Sequence, residues 1–275
     1  IESDPVAKKE LSARMTAYQN LLFNSLTKNF EDAIWLFNNK KIKGENLSII
    51  ASNVSNDVFH LAPIFHNELV NRDKLSNSST QGSTNLINRI FNHGDKENLN
   101  MEGHPAELGI FLSVIKKHHL HKKTKSGFQF CAPQKKEGKL FDLYETFNKI
   151  IKEKKDPMPL TEIYSLFSKP PYGIKMGLLP LLTATFFKIN EGSLAFYNID
   201  DSRVESLITD YDPRICEKFI QIPEDLKLMY VRIEGEKKKI LDDFKGYVEK
   251  RFLNNEVIKN PTPLQILKPI VLKAY

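Results

Sequence analysis

The sequence predicts a mainly helical α+β fold made of tandem winged-helix-like modules with short β-wings and flanking helices. Residues 160–199 show the order helix, turn, apolar helix, turn and strand, and residues 84–131 repeat that order with negligible sequence identity. Helices are also predicted before and after the two modules. We therefore expect four segments: an N-terminal helical segment (1–62), a first winged-helix-like module (63–153), a second one (154–235) and a C-terminal helical extension (236–275).

The N-terminal segment begins with a helix signal, because Asp4 can act as N-cap and Pro5 can occupy the first helical position. Apolar residues then recur three or four positions apart, which predicts one face of a long helix: Leu11, Met15, Tyr18, Leu22 and Leu26. A short strand or buried turn is predicted at 34–37, a loop at 38–46, and a second helix capped by Ser48.

In the first module, residues 64–75 indicate a helix or helix-turn, and the polar run 76–83 is typical of a loop. Helices are predicted at 84–92 and 106–119, followed by a strand at 127–131 in which aromatic and polar residues alternate. The polar side chains between 67 and 72 favour structural hydrogen bonding over ligand contact, because most polar side chains bond locally.

The second module follows an amphipathic helix at 140–152 and a linker ending at Pro157. Its most informative stretch is Pro170–Ile199. Pro170, Pro171 and Gly173 form a rigid turn in which the glycine can take positive φ. An apolar helix should start near Gly177, and Gly192 is predicted as its left-handed cap.

A strand at 193–198 is expected to complete the second module. Beyond it, the pattern predicts a short helix at 203–208, a break at Asp212-Pro213, a strand at 226–233 and helices at 236–252 and 264–274. The helix at 177–189 is apolar all round and lacks the exposed Arg, Asn, Gln or Lys that base recognition requires. We therefore predict that it is a core helix.

Composition is typical of a globular protein with a mild preference for anionic partners. The chain has 275 residues, 41% of them hydrophobic, a net charge of +6 and a pI near 9.0. Its apolar runs are too short for a membrane span. Cys131 and Cys216 lie far apart, which favours a reducing, cytoplasmic location over a disulfide framework. Because it starts without Met and helical patterns occur near both termini, we expect a piece of a longer polypeptide.

The run 116–125 is the main candidate site, with five lysines, three histidines and no acid. If these residues lead into a wing, they could contact phosphates; a solvated basic face at a helix end is the competing interpretation. The candidate nucleic-acid-binding residues are Lys116, Lys117, His118, His121, Lys122, Lys123 and Lys125. His118, His119 and His121 should also gain charge near pH 6.5.

No catalytic or cofactor site is predicted. The chain contains no phosphate-binding P-loop, no G-x-G-x-x-G, no H-E-x-x-H and no G-x-S-x-G motif. His118 and His121 are three residues apart, but no cysteine or carboxylate is spaced with them as zinc ligands would be. We therefore expect neither a metal nor a cofactor, and no enzymatic activity in this chain.

Four segments together resemble an internal region of large bacterial P-loop ATPases that are found in anti-phage defence islands. They are PIFHNELVNRDKLSNSS, NMEGHPAELGIFLSVIKKHHLH with FQF-x-x-P, PLTEIYSLFSKPPYGIKMGLLPLLTATFF with LAFY, and PTPLQILKPIVLKAY. The resemblance covers roughly residues 63–275 and is most specific at 170–187. It implies an ATPase module N-terminal to this region, whereas this chain has no nucleotide-binding loop.

Two functions follow as hypotheses. The first is a non-catalytic module of a larger defence-type ATPase that binds DNA or relays nucleic-acid sensing, with other parts of that polypeptide or other defence proteins as partners. The second is a protein–protein docking or oligomerisation module without nucleic-acid contact, which the mild net charge and the apolar second module favour. A cryptic nuclease or other hydrolase is disfavoured, because no acid/base pair can be assembled.

Overall fold

A computed structural model describes residues 4–29, 34–37, 39–42, 47–125, 127–200 and 202–231, together with 239 and 243. The chain divides into a smaller unit, 1–60, and a larger unit, 61–275. The predicted helices at 236–252 and 264–274 lie outside the described residues, apart from those two positions. The four segment boundaries expected from sequence stay predictions.

The smaller unit contains two helices and a hairpin. Helix α1 (Pro5–Asn29) begins as predicted, because Asp4 Oδ1 accepts hydrogen bonds from the backbone N–H groups of Val6 and Ala7. Strands β1 (Trp35–Phe37) and β2 (Lys40–Ile42) pair antiparallel. The predicted loop 38–46 was therefore wrong in part, since it contains β2. Helix α2 (Leu47–Val58) follows.

The apolar face of α1, defined above by five residues from Leu11 to Leu26, is exposed to solvent. The exposed fractions of these side chains lie between 46% and 70%. Val6, Leu21 and Phe23, which point elsewhere on the helix, are also exposed. The periodicity predicted the helix correctly, but its apolar face is not buried within the smaller unit.

In the larger unit, residues 64–75 form turns and no helix, so the predicted helix or helix-turn was wrong. Local hydrogen bonds explain the turns. Asn67 Oδ1 accepts from the backbone N–H groups of Leu69 and Val70, and Asn71 Nδ2 donates to the Phe65 carbonyl oxygen. These polar side chains therefore have the structural role that the sequence favoured.

Helix α3 (Asn77–Asn92) begins within the run predicted as a loop, and that prediction was wrong. Ser76 is its N-cap, with Oγ accepting from the N–H of Ser79. Ser79, Gly82 and Ser83 are buried, and a Cβ on Gly82 would lie 3.4 Å from Ile110 Cδ1. These small residues let α3 pack closely against α4 (Ala106–Ile110). The polar composition of the run did not indicate this packing.

A hairpin follows α4. The helix continues as a π-helix, Phe111–Lys116, in which the Lys117 N–H bonds the Leu112 carbonyl at 3.0 Å. Strands β3 (His121–Thr124) and β4 (Gly127–Phe130) then pair antiparallel, with His121 opposite Phe130. The predicted strand at 127–131 is thus confirmed as β4.

Three helices and a short strand follow in the chain and contribute to the core. Helix α5 (Lys139–Glu153) precedes strand β5 (Met158–Pro159), helix α6 (Leu160–Ser168) and helix α7 (Leu179–Ile189). Gly173 takes φ 62° in the turn between α6 and α7, as the sequence predicted. Every residue of α7 from Leu179 to Phe187 is buried, which confirms it as a core helix.

Residues 194–230 contain three strands of a small antiparallel sheet and one helix. Strands β6 (Leu194–Ile199), β7 (Glu205–Leu207) and β8 (Leu226–Tyr230) join β5 in the order β5-β8-β6-β7. Helix α8 (Pro213–Gln221) lies between β7 and β8 in the chain and packs on α3.

Two predictions fail in this region, and two are confirmed. The short helix at 203–208 was wrong, because residues 205–207 pair with β6. The left-handed cap at Gly192 was also wrong: Asn190 caps α7, with φ −111°. The strands predicted at 193–198 and 226–233 are present as β6 and β8, although residues 232 and 233 lie outside the described part of the chain.

The fold class expected from sequence is confirmed at its coarse level: the protein is α+β, with helices and small antiparallel sheets. A continuous cluster of buried residues runs from Phe65 to Leu228. Within the described part of the chain, no helix has the length and apolarity needed to cross a membrane.

Candidate nucleic-acid interface

The β3–β4 hairpin and the segment after it carry the most basic part of the larger unit. Residues 116–139 contain eight lysines and one acid, Glu137. In the hairpin, Lys122 lies opposite Gln129 and Lys123 opposite Phe128. Because side chains alternate along a strand, Lys122 and Lys123 point to opposite faces, so both faces of the hairpin carry positive charge.

His121 anchors this hairpin to the core. Its ring is only 5% exposed, and Nε2–H donates to the carbonyl oxygen of Gly94 at 3.0 Å. The ring also lies 5.7 Å from Phe128 and 4.9 Å from Phe130, centroid to centroid. Burial lowers the pKa of His121. The sequence placed His121 among the ligand-contacting residues, whereas the structure places it inside.

His118 also faces the protein. Its ring packs edge-on against Phe65 at a centroid distance of 4.9 Å, and its Nε2 is buried without a hydrogen-bond partner. Burial has the largest effect on the pKa of His118 and lowers it, whereas the nearby carboxylate of Glu137 acts to raise it. The expected gain of charge near pH 6.5 was therefore wrong for His118 and His121. His119, by contrast, is exposed.

The lysines of the run remain available to solvent. Lys117, Lys123 and Lys125 are exposed, Lys122 is half-buried, and Lys116 is exposed while its Nζ donates to Asn98 Oδ1 at 2.9 Å. In the part of the chain that the structure describes, none of these five lysines has a carboxylate within 4.0 Å of Nζ. Such unpaired ammonium groups can pair with phosphate without first breaking an ion pair.

The structure adds basic residues that the sequence reasoning missed. Lys135 and Lys136 lie on a 3-10 turn, Lys135–Glu137, and Lys139 begins α5. This turn borders a pocket of about 160 Å³ that is also lined by His119 and Lys122. The adjacent lysines at 135–136 are visible in the sequence. Because they are separated along the chain from the lysine-histidine run, the sequence did not indicate that the two groups lie close together in space.

Among the described residues, no three or more His, Cys, Asp or Glu side chains are grouped as metal ligands would be. The two cysteines are free, and burial raises the pKa of the Cys216 thiol to about 12, far from the reactive range. The Arg89–Glu107 ion pair, at 3.1 Å, joins α3 to α4.

Comparison with known proteins does not assign the chain to a family. No protein-family model matches it, and the curated proteins and solved structures compared with it yielded no match.

Proposed function

We propose that the larger unit binds nucleic acid through the basic hairpin surface, defined as Lys117, Lys122, Lys123 and Lys125 with the neighbouring Lys135, Lys136 and Lys139. We further propose that it does so as a non-catalytic module of a larger bacterial defence-type ATPase. The observation that carries the proposal is the set of unpaired, accessible lysines on a hairpin whose base is fixed by His121. A rigid cationic edge binds phosphates with less loss of conformational freedom than a mobile one.

The element order supports a winged-helix interpretation of both parts of the larger unit. Helices α6 and α7 are followed by β6, and β5, β8 and β6 form neighbouring strands of one sheet. Likewise, α3 and α4 are followed directly by the β3–β4 hairpin. In this interpretation the hairpin is a wing that contacts the nucleic-acid backbone.

The proposed binding has little base preference. The helix that leads into the hairpin exposes Ala106, Gly109 and Leu112 before Lys116. These side chains lack the paired donors and acceptors that read base edges. Contacts to phosphate position a protein without reading sequence, so we expect affinity to depend on salt and hardly on base composition.

The direct test is fluorescence anisotropy with labelled double- and single-stranded DNA at about 50 and 200 mM salt, where phosphate-driven binding weakens steeply. A variant with Lys117, Lys123 and Lys125 changed to Glu should lose most of its affinity. A matched variant reverses the exposed Lys149, Lys155 and Lys169, changing net charge equally. Equal losses in both variants, or no binding at low salt, would reject the proposed surface.

The docking function has its own supporting observation, the exposed apolar face of α1. Exposed apolar surface of this kind is typical of interaction sites. If α1 mediates self-association, light scattering should show a mass that rises with protein concentration, and changing Leu22 to Glu should restore a constant mass. A strict monomer would reject self-association through α1.

A further inference from the structure

The pocket beside the hairpin brings together basic side chains that are distant in sequence. One wall comes from the residues around β3, and the other from the 3-10 turn before α5. The pocket encloses about 160 Å³ and is lined by His119, Lys122, Ala132, Pro133, Gln134, Lys136 and Glu137. Its polar lining therefore contains two ammonium groups, an imidazole, an amide and one carboxylate.

The charge of this lining favours an anion. In the described part of the chain, neither Lys122 nor Lys136 has a carboxylate within 4.0 Å of its Nζ, although Glu137 shares the pocket. The pocket lies next to the start of α5, which has 15 residues and no side-chain N-cap. The positive end of the helix dipole adds to the lysine charges there.

We infer that this pocket seats one phosphate group, with Lys122 and Lys136 supplying charge and His119 and Gln134 supplying hydrogen-bond donors. Lysine binds phosphate as a point charge, which suits a shallow pocket without a fixed donor fork. The assignment of this phosphate to a nucleic-acid strand rests on the function proposed above. On that basis the pocket fixes the position of the strand, while the lysines at the hairpin tip attract it.

Glu137 allows a specific test of phosphate binding in this pocket. Its carboxylate lines the pocket and opposes an anion, so Glu137→Gln should strengthen phosphate binding, whereas Lys136→Gln should weaken it. Opposite effects from adjacent residues would not follow from damage to the turn that carries both. Lys149→Gln, an exposed lysine ten residues farther along α5 than Lys139, is the matched control.

The first experiment titrates the full chain with inorganic phosphate and follows backbone amide signals by NMR. We expect shifts at 119, 122 and 134–137, a several-fold weaker response in Lys136→Gln, a stronger one in Glu137→Gln, and no change in Lys149→Gln. If these signals do not respond to phosphate, or respond equally in all variants, the pocket is not a phosphate site.

The second experiment identifies the source of the phosphate. If a strand occupies the pocket, DNA displaces inorganic phosphate. Lys136→Gln should then lower DNA affinity about fivefold to tenfold at roughly 0.1 M salt and reduce the salt slope by about 0.9. Normal DNA binding by Lys136→Gln would overturn the strand assignment while leaving the proposed function intact. Phosphate binding without DNA binding at low salt would reject the proposed function and make free phosphate or a nucleotide the occupant.

Discussion

Helices α1 and α5 both carry apolar side chains three or four positions apart, but these side chains lie in opposite environments. The α1 face is exposed, with values between 46% and 70%, whereas Leu140, Leu143, Tyr144, Phe147 and Ile151 of α5 are between 1% and 5% exposed. In α5, the Phe147 ring stacks on Phe186 at 3.9 Å, and Tyr144 Oη lies 2.6 Å from Thr185 Oγ1. Periodicity thus identifies a face that is suited to burial, but it does not say whether anything covers it.

The difference also separates two functional hypotheses. A buried face contributes about 1.5–3 kcal/mol for each large apolar side chain, whereas an exposed face leaves that free energy available to a partner. The apolar face of α5 is already buried in the core, and the N-terminal end of this helix borders the basic pocket. The exposed apolar face of α1 supports the docking hypothesis, and the lysines of the hairpin support the nucleic-acid-binding hypothesis.

The largest expected effect is the difference between truncating an aromatic ring in α5 and truncating one in α1. Phe147→Ala should lower the free energy of unfolding by about 3–5 kcal/mol, because it empties a site packed by Phe167 and Phe186. Tyr18→Ala on α1 should change it by only about 0.5 kcal/mol, since the ring is exposed. Urea unfolding followed by circular dichroism measures both, and similar losses would show that the α1 face is covered in solution.

A second expected effect concerns backbone packing in the larger unit. A Cβ at Gly177 would lie 2.5 Å from the Val70 carbonyl oxygen and 2.6 Å from Leu75 Cδ2. Gly177→Ala should therefore cost about 1–3 kcal/mol or prevent folding, because a backbone atom cannot move aside cheaply. Gly192→Ala is the control, with no atom within 4 Å of the added carbon. Equal melting temperatures for the two variants would contradict this close approach.

The smallest expected effect is an acid sensitivity of the larger unit. Burial lowers the folded-state pKa of His118 and His121, so the unfolded chain binds more protons as pH falls through about 6.5. Stability should be fully present above pH 6.5 and should fall between there and the lower folded-state values. Helix α1 contains no histidine and should not share this dependence.

The variant His118→Phe sharpens that test. It removes a buried nitrogen that has no hydrogen-bond partner and keeps a ring against Phe65. Thermal melts at pH 7.5 and 5.5 should show a smaller acid-induced decrease in Tm for this variant than for the natural chain. An unchanged decrease would mean that His118 does not remain neutral in the folded state.

Local signals accounted for much of the fold. The Asp4 cap, the helices α1, α5, α6 and α7, and the strands β4, β6 and β8 follow from caps, periodicity and turn residues. The errors occurred where neighbours in space decided the outcome. Residues 205–207 form a strand because they pair with β6, and Ser76–Ser83 enter a helix because small side chains let α3 approach α4.

The candidate site was predicted only in part for the same reason. The lysine-histidine run was visible as a charge pattern, but charge alone could not show that His118 and His121 face inward. It also could not show that Lys122 and Lys136 line the same pocket, because thirteen residues of hairpin and loop separate them in sequence.

By itself, the sequence determined the elements that depend on neighbours along the chain: which residues cap a helix, which face of it is apolar, and where positive charge is concentrated. The tertiary structure decided which of these features meet. It buried α5 while leaving the α1 face exposed, turned His118 and His121 inward, and placed lysines from two segments around one pocket. The physical reason is that burial and charge pairing depend on distances in space between segments, which local periodicity does not encode.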